Sequence, residues 1–410
     1  MRIMNPPFIV KGCLSFCVGV AGAGFHAHAA DAFVVHEWGT FTTVSGSDGR
    51  LLSGLQVDEE RLPNFVQAHS GFSPANKGWN RPVSNVTVKM ETPVIYFYSD
   101  RERAVQVDVK FAGGSISQWY PGRSGGEELP PLPQEQPTLE QLRALSPVDF
   151  SRPFAGSVQW NVTVLAPDTT EKINCPVSWE TPQWPRARVP GANLVKGPPG
   201  FVETGRPDFS ATGPVVEGFL FYRGIGNFAL PFDVTVAPDG TLTLRNTGTE
   251  DISRVWVYEK SSKPDASFHF WTGKLPAGGQ QSVPLQPAGS FLGKSGFGAS
   301  LIHAGLTSDE TSALLATWKE SYFDAPGLRV FWIVPRAFTD RILPIAITPA
   351  PDKLERVLVG RSEVLTPAFE KELVDGFRSD GGARWAKDRY FLAYRERARQ
   401  LGVVLPDNTP

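Results

Sequence analysis

Two glutamates set inside aromatic stretches are the residues of this chain best suited to acid–base chemistry. Glu37 lies in His36-Glu37-Trp38, and Glu91 opens Glu91-Thr92-Pro93-Val94-Ile95-Tyr96. Two carboxylates held about 5–10 Å apart flank the scissile bond in most glycosidases. Glu217, just ahead of Phe219, is a third carboxylate of this kind. The same residue types also form ion pairs, here with Arg223, Arg336 or Arg361, so a structural role stands beside the catalytic one.

A second concentration of charge interrupts strongly apolar runs near the C-terminus. Arg336, Asp340, Arg341, Arg356, Arg361 and Glu363 punctuate Val330–Val334 and Leu343–Ile347. Charges among buried strands are costly unless paired. They therefore make either an internal network or an arginine-lined site for an anionic group. His36, Arg223, Arg336, Arg361 and Glu363 are the candidate ligand-binding residues on the second reading.

Other chemistries find little support. Beyond residue 29 the histidines are His36, His69, His269 and His303, with no HExxH-like spacing among them. His36 and His303 are the residual metal candidates, and each would need distant partners. Neighbours on a strand face opposite ways, so His36 and Glu37 do not share one ion. The expectation is no metal and no cofactor. There is no Gly-x-Ser-x-Gly elbow, and Cys175 has no adjacent base, which reads as a buried inert thiol. Gly224-Ile225-Gly226 lacks the third glycine of a phosphate loop and reads as a turn. Tyr96, Phe97, Tyr98, Trp119, Tyr120, Phe268, Phe270 and Trp271 would suit stacking on sugars if exposed, and a core if buried.

The elements that must position these groups are mostly strands. Val105, Val107, Val109 and Phe111 alternate with polar residues, as do Val158, Trp160, Val162 and Val164. Pro238-Asp239-Gly240 separates two further alternating runs and signals a hairpin. Two Pro-rich stretches, 121–153 and 182–214, break the rhythm and read as long loops, with a short helix over Thr138–Leu145. After residue 300 the period changes. Thr307 and Glu310 form a capping box ahead of Leu314, Leu315, Trp318 and Tyr322. Thr366-Pro367 starts a helix with Phe369, Leu373 and Phe377 inward, and a last helix over 383–401 turns Arg395, Arg397 and Arg399 outward. The fold class is α+β and β-dominated: antiparallel, sandwich-like sheets over 30–290, one or two domains, then a mixed helix and strand segment over 291–410 packed on them.

Residues 1–29 read as a signal peptide. Arg2 and Lys11 precede a short apolar run, and Ala27-His28-Ala29 fits a signal peptidase site. Its loss removes Cys13 and Cys17 and takes the formal charge from −2 to −4. No later segment is apolar enough to span a bilayer, and a weakly acidic chain without a basic block argues against nucleic acid. The expected location is periplasmic or secreted.

His36-Glu37-Trp38-Gly39-Thr40-Phe41-Thr42, Glu91-Thr92-Pro93-Val94-Ile95-Tyr96-Phe97-Tyr98 and Val359-Gly360-Arg361-Ser362-Glu363 resemble a family of exported bacterial proteins with no assigned activity. The resemblance implies export and one integrated architecture, and it transfers no mechanism. The resulting expectation is an exported binding or scaffold protein that recognises a glycan or an anionic ligand. The alternative is a secreted hydrolase using paired carboxylates or a metal site.

Overall fold

Alternation along two strands builds one wall of the protein. The computed structural model describes residues 32–69, 81–128, 138, 140–141, 144–176, 179–199, 213–260, 268–285, 287–288 and 293–405. The strands that carry the site are β1 (Phe33–Ser45), β2 (Val88–Ser99), β3 (Arg103–Ala112), β4 (Gly114–Tyr120), β5 (Ala155–Val164), β6 (Leu220–Gly226), β7 (Gly327–Ile333) and β8 (Lys353–Val364). In β3 and β5, Val107 lies opposite Trp160 and Val109 opposite Val158, with the valines and aromatics buried on one face. That face packs on Phe41, Met90, Ile95, Tyr222, Val330 and Leu358 of a larger sheet, so the core lies between two layers.

The larger sheet has ten strands, and its centre runs β7-β8-β1-β2-β6-β4. β1 pairs parallel with β8 and antiparallel with β2. The segment after residue 290 therefore does more than pack on the sheets: it supplies β7 and β8 to the middle of one. Strands buried on both faces carry continuous apolar runs rather than alternation, which accounts for Val330–Val334. The second face of this sheet carries Trp38, Tyr96, Phe221, Phe331, Val357 and Val359. They lie against helix α1 (Ser308–Thr317) and the residues that follow it.

Several local readings need correction. Gly224-Ile225-Gly226 is not a turn but the end of β6, paired with both β2 and β4. A Cβ on Gly224 would lie 1.9 Å from the Ser115 carbonyl oxygen, so only glycine permits this approach. Gly224→Ala is expected to cost at least the roughly 1–3 kcal/mol typical of overpacking; an unchanged urea midpoint would contradict this packing. The last helix covers only Phe391–Gln400, with a separate 3₁₀ turn at Ala383–Trp385. Gly381 and Gly382 close the preceding helix, and the chain turns again at Asp388, whose Oδ1 accepts from the Tyr390 amide at 2.7 Å. Arg397 faces inward, not outward, and bonds Glu370 at 2.7 Å and Asp48 at 3.0 Å. The helix Gly293–His303 has no clear periodicity to mark it in the sequence. The capping box of α1, the Thr366 cap and the hairpin at Asp239-Gly240 are present. The 1–29 leader, Pro130, Pro131 and Pro133, residues 139 and 142–143 of Thr138–Leu145, and the side chains of Phe268 and Phe270 lie outside the described residues.

Candidate functional site

A stripe of charged and polar side chains crosses six neighbouring strands of the large sheet on its second face. It runs from Arg329 on β7, through Arg361 and Glu363 on β8, Thr40 and Thr42 on β1, and Lys89 and Glu91 on β2, to Arg223 on β6 and Gln118 on β4. Spacing by two puts most of them on the same side as the aromatic cluster, since Arg361 follows Val359 and Arg329 precedes Phe331. Lys89 and Glu91 reach this face because the alternation of β2 reverses between Glu91 and Val94. Register then aligns them. Thr42 lies opposite both Arg361 and Lys89, Thr40 opposite Glu91, and Arg223 opposite Gln118. Thr92, beside Glu91, has φ 45°, a strained conformation for a β-branched residue, and the pairing shifts between Trp38 and Thr40. Such irregularities re-aim side chains beside sites.

The stripe is roofed by the segment Asp58-Glu59-Glu60, by Ser321 and Tyr322, and by Arg389 and Tyr390. Glu59 accepts from Lys89 at 2.9 Å and from Arg361 at 2.8 Å, and it also pairs with Arg389. Asp58 meets Arg223 at 2.8 Å, while Arg223 Nε donates to Gln118 at 2.5 Å and Nη1 lies 3.5 Å from Glu91. Lys89 is also 3.5 Å from Glu91. Glu363 bonds Arg361 at 2.7 Å and Arg329 at 3.0 Å. The Arg361 guanidinium lies 3.9 Å from the centre of the Tyr322 ring.

Two adjacent carboxyls of the roof ionise in opposite directions. Burial alone would raise Glu59, but Arg361, Lys89 and Arg389 together hold it well below the usual carboxylate range. Glu60 is pushed up to about 7, by burial first and then by the charges of Glu59 and Glu91, against the Ser321 hydroxyl and Arg223. Glu60 is half-buried, and the side chains of Asp58 and Arg389 are 15% and 20% exposed, so these three form the mouth of an otherwise buried stripe.

No family model matches this sequence, and neither does any curated protein. Two solved structures of the yeast delta-COP-I mu-homology domain, one complexed with a Dsl1 WxWxV peptide, are similar to it at 9% and 7% identity. Each alignment covers 82% of this chain, and 98% and 97% of the other, with a TM-score of 0.29 in both cases. At that score the likeness bears on neither fold nor function.

The sequence candidates fall into separate places. Glu91, Arg223, Arg361 and Glu363 meet in the stripe. Glu37 does not: it points into the core between the sheets, bonded to Arg356 at 2.5 Å and to the Tyr222 hydroxyl. Arg356 also bonds Asp340 at 2.9 Å, and Arg336 is half-exposed on the same carboxylate at 2.8 Å. Glu37 and Glu91 are thus on opposite faces and cannot act as a pair. Glu217 is buried against Arg188 and the Trp184 indole.

His36 turns to the stripe's face but is engaged at the other end of it. Its Nδ1 meets Glu310 at 2.9 Å, and Glu310 also accepts from the Tyr98 hydroxyl at 2.7 Å and the Thr307 amide at 2.7 Å. Burial would raise Glu310, but His36 and the hydrogen bonds from Thr307 and Tyr98 bring it below its ordinary value. His303 ends the Gly293–His303 helix, exposed. Among the described residues, no three His, Cys, Asp or Glu side chains are placed to hold a metal ion, and no helix is long and apolar enough to cross a membrane. Tyr96, Phe97, Trp119 and Tyr120 are core rather than exposed stacking rings. The Cys175 thiol lies 2.6 Å from the Tyr120 hydroxyl, and burial pushes it up to about 12.

Sequence reading missed Asp58, Glu59, Glu60, Lys89 and Arg389. The signal was present: three successive acids at 58–60, and Lys89-x-Glu91 at the spacing that shares one strand face.

Proposed function

We propose that this chain is an exported binding protein, periplasmic or secreted, that takes a neutral, hydroxyl-rich ligand such as a glycan at the mouth of the stripe. The observation that carries this reading is the mixed sign of the mouth. Asp58, Glu60 and Arg389 offer acceptors and donors side by side, while the inner arginines are each already bonded to carboxylates. An anion would have to displace Asp58, Glu59 or Glu363 from its guanidinium, whereas a sugar hydroxyl can accept from arginine and donate to a carboxylate at once. The first half of the earlier expectation, a glycan rather than an anion, is therefore favoured.

Calorimetric titration of the mature chain with cellohexaose, mannohexaose and chitohexaose, and separately with citrate and phosphate, tests this. Saturable binding of at least one hexasaccharide is expected, weakened about fivefold or more by Glu60→Gln through loss of the carboxyl's acceptor oxygen. Binding of citrate or phosphate alone, or of nothing at millimolar ligand, would overturn it.

A second reading, a secreted hydrolase, draws on the opposed ionisation of Glu59 and Glu60. Carboxyls whose surroundings push them apart are the usual mark of an acid and its charged partner. On this reading Glu60 carries the proton, and Glu60→Gln lowers the rate of hexasaccharide cleavage on the order of 100-fold or more. Chromatography showing no cleavage products after prolonged incubation of the wild type would dismiss it.

A further inference from the structure

Trp179 is 88% exposed, the only exposed aromatic side chain among the described residues. Burying a ring of this kind is worth about 1.5–3 kcal/mol, and the protein forgoes that at one position while it buries Trp38, Trp160, Trp184, Trp256, Trp318 and Trp332. The segment that presents the indole is joined to the stretch around Arg61. Next to it, Glu180 pairs with Arg61 at 2.5 Å, and Gln183 donates to the Arg61 carbonyl. Trp184 packs against Phe65 at 5.2 Å and Tyr120 at 5.6 Å.

These contacts fasten the Trp179 segment to the stretch that carries Asp58 and Glu60. Trp179 and Glu60 each lie one residue from the Glu180–Arg61 pair. Extended side chains and two peptide steps place their backbones within roughly 20 Å, the reach of a short oligosaccharide. Val57, 38% exposed, begins the same stretch.

The size of the apolar surface decides what it fits. A lone indole offers about 200–250 Å², whereas a stable protein partner needs roughly 800 Å² from each side. The surroundings are charged in both senses rather than basic and apolar, which does not suit a membrane surface. One face of a pyranose ring matches this area: its C–H groups lie against the electron-rich indole face, and its hydroxyls point outward to polar neighbours. We infer that Trp179 is the stacking platform of a saccharide subsite continuous with the Asp58–Glu60 mouth. This inference rests on the glycan reading above and narrows its ligand to a chain of several sugars.

The test titrates cellohexaose, mannohexaose and chitohexaose into the full mature chain and into its Trp179→Ala, Trp179→Phe and Glu60→Gln variants. Affinity is read by calorimetry, and exposure of the indole by acrylamide quenching of fluorescence. The expected result is hexasaccharide binding about tenfold weaker in Trp179→Ala, retained within a few-fold in Trp179→Phe, with wild-type quenching suppressed by the sugar. Wild-type affinity in Trp179→Ala, alongside weakened binding in Glu60→Gln, would overturn the platform and leave the glycan reading intact. No hexasaccharide binding by the wild type would overturn both. Because Trp179 is exposed, an unchanged unfolding midpoint in Trp179→Ala is expected and separates lost contact from lost fold.

Discussion

Glu59→Ala is expected to remove about 3–5 kcal/mol of folding stability, the range seen when one partner of a buried ion pair is deleted. Three cations converge on this carboxylate: Lys89 from β2, Arg361 from β8 and Arg389 from the roof. Without it Lys89 and Arg361 face one another away from water, with Arg389 beside them at the mouth. Arg361 keeps Glu363 and Lys89 keeps Glu91, but Arg389 has no other carboxylate within ion-pairing distance among the described residues. Urea unfolding at pH 7 measures the loss. Arg336→Ala is the control, since its pair with Asp340 is half-exposed and worth about 0–1 kcal/mol. Equal losses in the two variants would contradict the central place given to Glu59. The pH dependence has a definite sign. The folded-state carboxyl is depressed, so its contribution is present above the ordinary glutamate range and is lost as pH falls through the depressed value.

Glu60→Gln is expected to act the other way. The folded-state carboxyl titrates near 7, above its unfolded value near 4.5. Below the unfolded value both states hold the proton and Glu60 has no cost. As pH rises from about 4.5 to about 7 the unfolded chain releases its proton first, so stability falls, and above 7 the full cost remains. At about 1.4 kcal/mol per pH unit the difference comes to about 3–4 kcal/mol. The amide has no proton to lose, so the variant should exceed the wild type by up to about 3–4 kcal/mol at pH 8 and match it near pH 4. Paired urea titrations at both pH values measure this; parallel losses across the range would rule it out. A variant that is more stable yet binds sugar less well would mark Glu60 as held in a costly state for function.

Much of the sandwich is legible in the sequence because its causes are local. Alternation at Val105–Phe111 and Val158–Val164 marks strands with one dry face, and Asp239-Gly240 marks its hairpin. Thr307 and Glu310 announce the start of α1, but nothing nearby reveals that Glu310 also receives His36, 274 residues away. The stripe shows the same divide. Glu91, Arg223, Arg361 and Glu363 stand out as charges among apolar residues, yet their meeting depends on pairings between β2, β6, β1 and β8 that lie far apart in the chain. Strand alternation separates His36 from Glu37 without saying which shares a face with Glu91. The roof acids 58–60 sit in a stretch with no periodicity. The aromatic strand around Tyr96 suggested sugar-stacking rings, but those rings are core, and the exposed indole lies in the region between the Pro-rich loops.

The parallel pairing of β1 with β8 also governs when this protein can fold. Glu37 and Arg356 touch across 319 residues, and their strands are neighbours at the centre of the large sheet. A chain emerging amino end first displays β1 long before its partner exists. Until then β1, β2, β6 and β4 can make only half a sheet whose open edge is β1 and whose two faces are apolar, a form prone to adhere to other chains. Closing so long a loop is slow, and the central seam forms only after nearly the whole chain has been made. A fragment ending before residue 353 is therefore not a smaller version of this protein but half a sheet with its midline exposed.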